Sequence, residues 1–212
     1  MTLGVLLLLM CVYQLYYTNF QANRAQHRVG TTLTKEWAAQ PVTPGDTPDK
    51  FVNLSDGDGF AFIRIPRLGK HWVKPIVQGV TLNDLAKGVA HYPESAWPGR
   101  VGNFAVAGHR ATHGEPFRDL PRVRPGDVVV IETQNNWYTY VIDSTKITTP
   151  TDVGVVLPVP NRPGVRATQR LITLTTCNPR WASYQRFIVF GHLESVQSKA
   201  LGLPPALVST GG

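Results

Sequence analysis

The sequence Leu171-Ile172-Thr173-Leu174-Thr175-Thr176-Cys177 alternates apolar and polar side chains, which is typical of a β-strand with one face in a core. Side chains in a strand point alternately to opposite faces. Thr173, Thr175 and Cys177 therefore share one face, and Ile172 and Leu174 lie on the other. Asn178-Pro179 follows at once and ends the strand. The pattern predicts a thiol at a strand end, beside a loop, where a reactant can approach it.

Six further segments have the same β-branched and aromatic character, and most are bounded by Gly, Pro or Asn. These predicted strands are Phe60–Ile65, Trp72–Val77, Gly102–Ala107, Val128–Glu132, Trp137–Asp143 and Arg186–Leu193. Thr133–Asn136 is predicted to be a hairpin loop. Thr81–Lys87 is the only helical candidate in this part, with Thr81 as its cap. Many short strands and so little helix predict a mainly β fold, a closed barrel or a sandwich, and not a doubly wound sheet.

The composition excludes one class of function and leaves several open. The chain has 212 residues, which is enough for one domain of about 150 residues with an anchor and a linker. Its net charge is +7, but the basic residues are dispersed and no basic patch is interleaved with aromatics, so no nucleic-acid binding is expected. A mildly basic surface would suit an anionic membrane or cell wall, or serve solubility alone.

Residues 1–20 are predicted to form a transmembrane anchor. Thr2–Phe20 provides 19 residues without a charge, and a spanning helix needs about 20 mainly apolar residues. Arg24 and Arg28 follow this run, and the positive-inside rule alone would leave the domain in the cytoplasm. We expect instead that a longer reading frame supplies basic residues before Met1 and that the domain is extracellular, on a single-pass anchor in the cell membrane.

The remainder divides by composition into three parts. Residues 21–59 are polar and contain several prolines, which predicts a stalk, helical to about Gln40, followed by a flexible linker. Residues 60–195 contain all the predicted strands and are predicted to form one folded β domain. Residues 196–212 are a Pro- and Gly-containing C-terminal tail.

Two cysteines are present, Cys11 and Cys177. If Cys11 lies in the membrane the two cannot pair, so the exported domain would carry one unpaired thiol, either inert and half-buried or kept for chemistry. A nucleophilic thiol needs a base, and His109 ends its predicted strand just as the cysteine does. Arg186 begins the last strand and could donate to an oxyanion, with Arg180 as an alternative.

The segment around His109 also contains a possible set of metal ligands. His109, His113 and Glu115 lie within seven residues, but Gly108 and Gly114 argue against one helix presenting both imidazoles, and no third His or Cys follows at the spacing of a metal site. We therefore predict no metal and no cofactor.

The order His109, then Thr173-Leu174-Thr175-Thr176-Cys177, then Arg186 resembles the sortases, whose signature is T-L-x-T-C, over roughly residues 55–195. Tyr92-Pro93 and the segment Gly102–Phe117 look most like the class E sortases of high-GC Gram-positive bacteria. The resemblance implies an eight-stranded sortase-type β-barrel, an N-terminal membrane anchor and exported substrates with a C-terminal Leu-Ala/Pro-x-Thr-Gly sorting signal.

The resemblance also implies roles for individual residues. Cys177 would attack the Thr–Gly carbonyl to form a thioester, His109 would protonate the leaving amine, and Arg186 would hold the oxyanion. An amine of a cell-wall precursor would then take the acyl group. Tyr92, Thr175 and Thr176 are predicted to bind the substrate, with the Tyr92 hydroxyl helping to select Ala over Pro in the signal.

Other classes of protein fit less well. An L,D-transpeptidase would need Ser-His-Gly before its cysteine, and a papain-like peptidase would place its cysteine at a helix start with the histidine later in the chain. A non-enzymatic, membrane-anchored extracellular β-barrel binding module with a buried thiol stays open as the alternative. The tail segment Leu207–Gly211 has the form L-x-x-T-G, which we interpret as coincidence; the other reading is a weak pseudo-substrate.

Overall fold

The computed structural model describes residues 2–40, 49 and 51–208. Its helices are α1 (Thr2–Val12), α2 (Thr18–Ala38), α3 (Leu82–Lys87) and α4 (Pro205–Val208), and a π-helical turn, Tyr13–Tyr17, joins the first two. Its strands are β1 (Gly59–Arg64), β2 (Val73–Gln78), β3 (Val89–His91), β4 (Gly102–Ala107), β5 (Val128–Glu132), β6 (Asn136–Thr148), β7 (Arg170–Asn178) and β8 (Gln185–Ser198). The predicted flexible linker at 41–48 and the end of the L-x-x-T-G segment lie outside the described residues.

The eight strands close into one barrel in the order β1-β2-β3-β4-β7-β8-β6-β5, which confirms the mainly β, closed eight-stranded barrel. Two neighbouring pairs, β2–β3 and β4–β7, are parallel, and the other pairs are antiparallel. The parallel pair β4–β7 brings together the two strands that end at the candidate base and the candidate nucleophile.

The barrel is filled by the apolar faces that the strand patterns predicted. Ile172 and Leu174 of β7 are fully buried and pack in one cluster with Phe104 of β4, Ile131 of β5 and Tyr140 of β6. Burying one such aliphatic side chain contributes roughly 1.5–3 kcal/mol relative to leaving it in water. Because one face of β7 is fixed in this core, its alternate residues face outward.

The structure differs from the sequence prediction mainly at element ends. β3 was not predicted, and β6 and β8 are longer than expected, because their ends pair with each other from Asn136↔Ser198 to Thr148↔Arg186. The helix predicted at 81–87 is confirmed as α3. Its cap is Thr81, whose side chain accepts a hydrogen bond from the Asp84 amide while the Asp84 carboxylate accepts one from the Thr81 amide.

Helix α2, which occupies the segment predicted as a stalk, packs against the barrel. Ala22, Gln26 and Leu33 are buried on one face of the helix. Gly59 permits the close approach, since a Cβ there would lie 2.6 Å from Val29 Cγ1. Within the part of the chain that the structure describes, no helix has both the length and the apolar character of a membrane span.

The chain just before β1 is fastened to the β5–β6 hairpin by Asp49. This carboxylate is 5% exposed and accepts hydrogen bonds from the Thr133 hydroxyl at 2.7 Å, the Asn136 amide at 2.8 Å and the Tyr138 hydroxyl at 2.7 Å. The hairpin loop predicted at Thr133–Asn136 is confirmed, because the Thr133 amide donates to the Asn136 carbonyl. The end of the predicted linker thus belongs to the folded domain.

Candidate active site

The parallel pairing of β4 with β7 sets the geometry of the site. Ala107 lies opposite Thr175 in the ladder, and the Gly108 amide donates to the Thr175 carbonyl at 3.1 Å. Two residues further along the chain from Ala107 and Thr175 come His109 and Cys177. Because parallel strands run in the same direction, both side chains leave the barrel at the same edge.

Cys177 is a free, half-buried thiol at the end of β7. It pairs across the β7–β8 ladder with Arg186, and the loop that begins at Asn178-Pro179 follows it directly. The structure therefore brings together the three residues that the sequence predicted as catalytic.

His109 occupies a confined position beside the nucleophile. Its Nε2 atom is buried and has no hydrogen-bond partner among the described residues. Its ring stacks on that of His113 at a centroid separation of 4.6 Å. Burial, with a smaller contribution from the neighbouring His113, lowers the pKa of His109 to about 4. The imidazole is therefore neutral near pH 7 and able to accept a proton.

The Arg186 guanidinium is held on the loop between β7 and β8. Its Nη1 atom donates to the carbonyls of Ser183 at 2.8 Å and Gln185 at 2.9 Å. Arg180, the alternative oxyanion donor, is instead paired with Glu115 at 2.6 Å and lies over the Trp181 ring. Position in the ladder therefore favours Arg186, which is directly across from the thiol-bearing residue.

Arg110 is a site residue that the sequence reasoning missed. Its Nη1 atom donates to the Cys177 carbonyl at 3.2 Å and to Asn178 Oδ1 at 2.7 Å, so the guanidinium fixes the backbone that carries the nucleophile. Burial and the nearby Arg180 lower the pKa of Arg110, while Asp119 and Cys177 favour its charged form. The signal available in the sequence was its position directly after the candidate base.

Tyr92 and Thr175 meet on the outer face of the barrel. The two hydroxyl oxygens are 3.4 Å apart, and both belong to residues predicted to bind substrate. Thr176 has a different position. It is 3% exposed, and its hydroxyl donates to the Gly108 carbonyl at 2.7 Å. This hydrogen bond therefore joins β7 to the residue after β4, directly before the candidate catalytic residues Cys177 and His109.

The loop between β6 and β7 borders the same face. Asn103 of β4 holds it by donating from Nδ2 to the carbonyls of Val155 at 3.3 Å and Leu157 at 3.0 Å. The Thr173 hydroxyl in turn donates to Asn103 Oδ1 at 2.9 Å. On the polar face of β7, Thr173 thus supports the β6–β7 loop through Asn103, and Cys177 carries the thiol at the other end of the strand.

His91, the other histidine of the predicted segment, is a core residue. It is fully buried, with Nδ1 2.8 Å from Gln78 Oε1 and Nε2 3.0 Å from Ser95 Oγ. Burial lowers the pKa of His91 to about 4, so a neutral ring fills this site. It contributes packing and takes no part in the candidate catalytic group.

Metal ligands and a surface groove were the remaining places where a site could lie. Among the described residues, no group of three or more His, Cys, Asp and Glu side chains is arranged to hold a metal ion. A groove of about 590 Å³ between α2 and strands β1 and β2 is lined by residues such as Gly30, Phe62 and Pro75. It includes none of the candidate catalytic residues.

Comparison with known proteins gives a consistent family. A family model described as "Sortase domain" matches residues 63–194. Sortase SrtE1 of Streptomyces coelicolor is 40% identical over 98% of this chain, and the aligned chain spans 59% of that protein's length. Sortase SrtE2 of the same organism is 31% identical over 91% of this chain and 78% of its own.

Solved structures agree with these relatives. Sortase E from Streptomyces avermitilis is 48% identical, with a TM-score of 0.66 over 72% of this chain and 99% of its own. Sortase E1 from Streptomyces coelicolor with a tripeptide in the active site is 40% identical, with a TM-score of 0.66 over 73% of this chain and 99% of its own. The chain has the Thr173–Cys177 signature, the closed barrel and these relatives, and it belongs to the sortase family of cysteine transpeptidases.

Proposed function

We propose that this protein is a membrane-anchored sortase that cleaves the Thr–Gly bond of a C-terminal Leu-Ala/Pro-x-Thr-Gly sorting signal and transfers the exported protein to an amine of a cell-wall precursor. The observation that carries the proposal is the β4–β7 register, in which His109 follows β4 at the level of Cys177. Arg186 pairs with Cys177 from the opposite strand.

The first half-reaction starts from a neutral imidazole. His109, with a pKa lowered to about 4, accepts the proton of the Cys177 thiol when substrate fills the site. The resulting thiolate attacks the threonine carbonyl carbon, and Arg186 donates to the oxyanion. The C–N bond breaks, the imidazolium gives its proton to the glycine amine, and a thioester to Cys177 remains.

The second half-reaction runs through the same groups in reverse. The incoming amine attacks the thioester carbonyl and loses a proton to His109. The C–S bond then breaks, which leaves a new amide in the product and a thiolate on Cys177 that recovers the proton. Exclusion of water from the confined site favours transfer to the amine over hydrolysis.

The signal-binding and membrane parts of the proposal rest on separate features. The Tyr92–Thr175 hydroxyl pair faces the outer side of β7, and we assign it the selection of Ala or Pro at the second position of the signal. The anchor rests on the 19 uncharged residues Thr2–Phe20. The extracellular location of the domain follows from the need to meet exported substrates.

Intact-protein mass spectrometry tests the reaction. The protein incubated with a Leu-Ala-x-Thr-Gly peptide should gain the mass of the acyl fragment as a hydroxylamine-sensitive adduct on Cys177, and Cys177→Ala should gain nothing. Repeating the assay with Leu-Pro-x-Thr-Gly peptides should show that Tyr92→Phe and Thr175→Val each reduce discrimination between the two signals. A folded protein that forms neither adduct nor amide with any of these peptides would favour the binding-module alternative.

A further inference from the structure

The loop that follows His109 contains an unusual backbone. His113, Gly114 and Glu115 have φ angles of +54°, +76° and +46°, so three consecutive residues occupy the left-handed region. Residues other than glycine adopt this region only when their surroundings hold them there. The His113 ring, which stacks on His109, depends on this conformation.

Helix α2 supplies the groups that hold this segment. Asn19 Oδ1 accepts from the Gly114 amide at 2.9 Å, and Asn19 Nδ2 donates to Glu115 Oε1 at 3.3 Å. Gln26 Nε2 donates to the His113 carbonyl at 3.0 Å. Asn19 and Gln26 are two helical turns apart, so they lie on the same face of α2.

The fit between the helix and the loop is close. Gln26 is 5% exposed, and a Cβ at Gly114 would lie 2.5 Å from its Nε2 atom. A glycine is therefore required at 114 both for the positive φ and for the approach of the helix.

The contacts continue from the loop to the nucleophile side of the site. Glu115 accepts from Arg180 Nη2 at 2.6 Å, and Arg180 lies three residues after Cys177 on the β7–β8 loop. The Glu115 carboxylate thus bonds both to Asn19 of helix α2 and to Arg180 of the loop that follows Cys177.

We propose that Asn19 and Gln26 are positioning residues of the transpeptidase, so that helix α2 is a working part of the active site. The helix fixes the left-handed loop, the loop places the His113 ring against His109, and Glu115 sets the loop after Cys177. This inference rests on the proposed function. Because the first residues of α2, including Asn19, are also the last residues of the segment assigned as the anchor, catalytic efficiency depends on how the N-terminal helix packs on the barrel.

The test compares full-length variants in detergent micelles with a signal peptide and an amine acceptor. Asn19→Ala, Gln26→Ala and the double variant should lower kcat, the double variant by about 10- to 100-fold, since a misplacement of about 1 Å in a catalytic group has effects of this size. KM for the peptide should change by less than about threefold, because the contacts lie away from the Tyr92–Thr175 face. Gln21→Ala and Thr34→Ala, two exposed positions on the same helix, are matched controls and should stay within about twofold of the parent.

Single-turnover rates of thioester formation, normalised to the Cys177 thiol titrated by iodoacetamide in folded protein, separate positioning from loss of fold. A reduced normalised rate with an unchanged thermal midpoint supports the proposal. An unchanged normalised rate in the double variant overturns it, whether or not the variant is less stable. A parent protein that forms no thioester would instead refute the proposed function itself.

Discussion

At the residue scale, the state of His109 decides how the reaction begins. A ring whose pKa is lowered to about 4 by burial is mostly neutral at neutral pH, so the resting imidazole can accept a proton but holds none to donate. In the proposed reaction, the proton delivered to the leaving amine therefore comes from the Cys177 thiol by way of His109. The imidazolium of that reaction forms during catalysis.

The same shift makes the stability of the protein depend on pH. The unfolded histidine takes up a proton as the pH falls through about 6.5, whereas folded His109 resists protonation down to about 4. The free energy of unfolding is therefore unaffected by the titration of His109 above about pH 6.5, and it decreases as the pH falls from there towards 4. When the pH falls from 6.5 to 4, we expect the free energy of unfolding to decrease less in His109→Asn and His109→Gln than in the parent, because these variants lack the buried imidazole.

Urea unfolding at several pH values measures this effect. The buried His91 titrates in the same range and stays in both variants, so a smaller acid sensitivity is expected to remain. The two substitutions should agree with each other. If both variants lose as much stability as the parent between pH 6.5 and pH 4, the assigned lowering of the His109 pKa is wrong.

The sequence predicted the candidate catalytic residues but not the residues that support them. Cys177, His109 and Arg186 could be found because each stands at the end of a strand with a recognisable pattern. Arg110 and Asn19 could not, since their partners are 67 and 95 residues away along the chain and no local pattern encodes such contacts. Whether the reacting residues carry the roles assigned to them stays a prediction until the thioester is measured.

At the scale of elements, the junction of β4 and β7 is tied together below the catalytic pair. The Thr176 hydroxyl donates to the buried Gly108 carbonyl, so the strand end that leads to the thiol is fixed to the strand end that leads to the base. Strand pairing alone would leave these ends free to fray. The hydrogen bond from the Thr176 side chain holds the two strand ends together as far as the candidate catalytic residues.

Thr176→Val keeps the shape of the side chain and removes the hydroxyl. It leaves the Gly108 carbonyl buried without that donor, which should lower the free energy of unfolding by about 1–3 kcal/mol. Thr176→Ser retains the donor and should recover part of this loss. Chemical denaturation of the two variants provides the measurement, and a Val variant no less stable than the Ser variant would contradict the prediction.

Element boundaries were predictable where apolar residues fill a short segment and turns delimit it. β4 and β5 have the predicted bounds, because apolar residues fill both segments and turns delimit them. β3 has three residues and exists only because it pairs in parallel with β2 and antiparallel with β4. The far ends of β6 and β8 are mostly exposed or half-buried, so their polar residues carried no strand pattern.

At the scale of the whole molecule, Asp49 joins the N-terminal part to the barrel. One buried carboxylate satisfies donors from Thr133, Asn136 and Tyr138. Burial, and then the charge of this carboxylate, raise the pKa of Tyr138, so its hydroxyl stays a donor near neutral pH. The arrangement fixes where the chain from α2 enters β1.

Asp49→Ala should therefore be costly. It leaves several buried donors without their acceptor, and we expect a loss of about 3 kcal/mol or more, or roughly 6–12 °C in the thermal midpoint of a chain of this size. Glu94→Ala removes an exposed carboxylate and should change stability by no more than about 0.5 kcal/mol. Calorimetry on both variants measures the difference, and equal midpoints would refute the role of Asp49.

The parallel pairing of β4 with β7 has a consequence for the order of folding. Parallel neighbours need a long crossover, and 68 residues separate Thr176 from the Gly108 carbonyl it contacts. Contacts so distant in sequence form late, after the entropy of closing the intervening chain has been overcome. The segment with His109 precedes the segment with Cys177 along the chain, and the two meet only when the barrel closes. An incompletely folded chain therefore carries the Cys177 thiol without His109 beside it, and under the proposed function such a chain is inactive in acyl transfer.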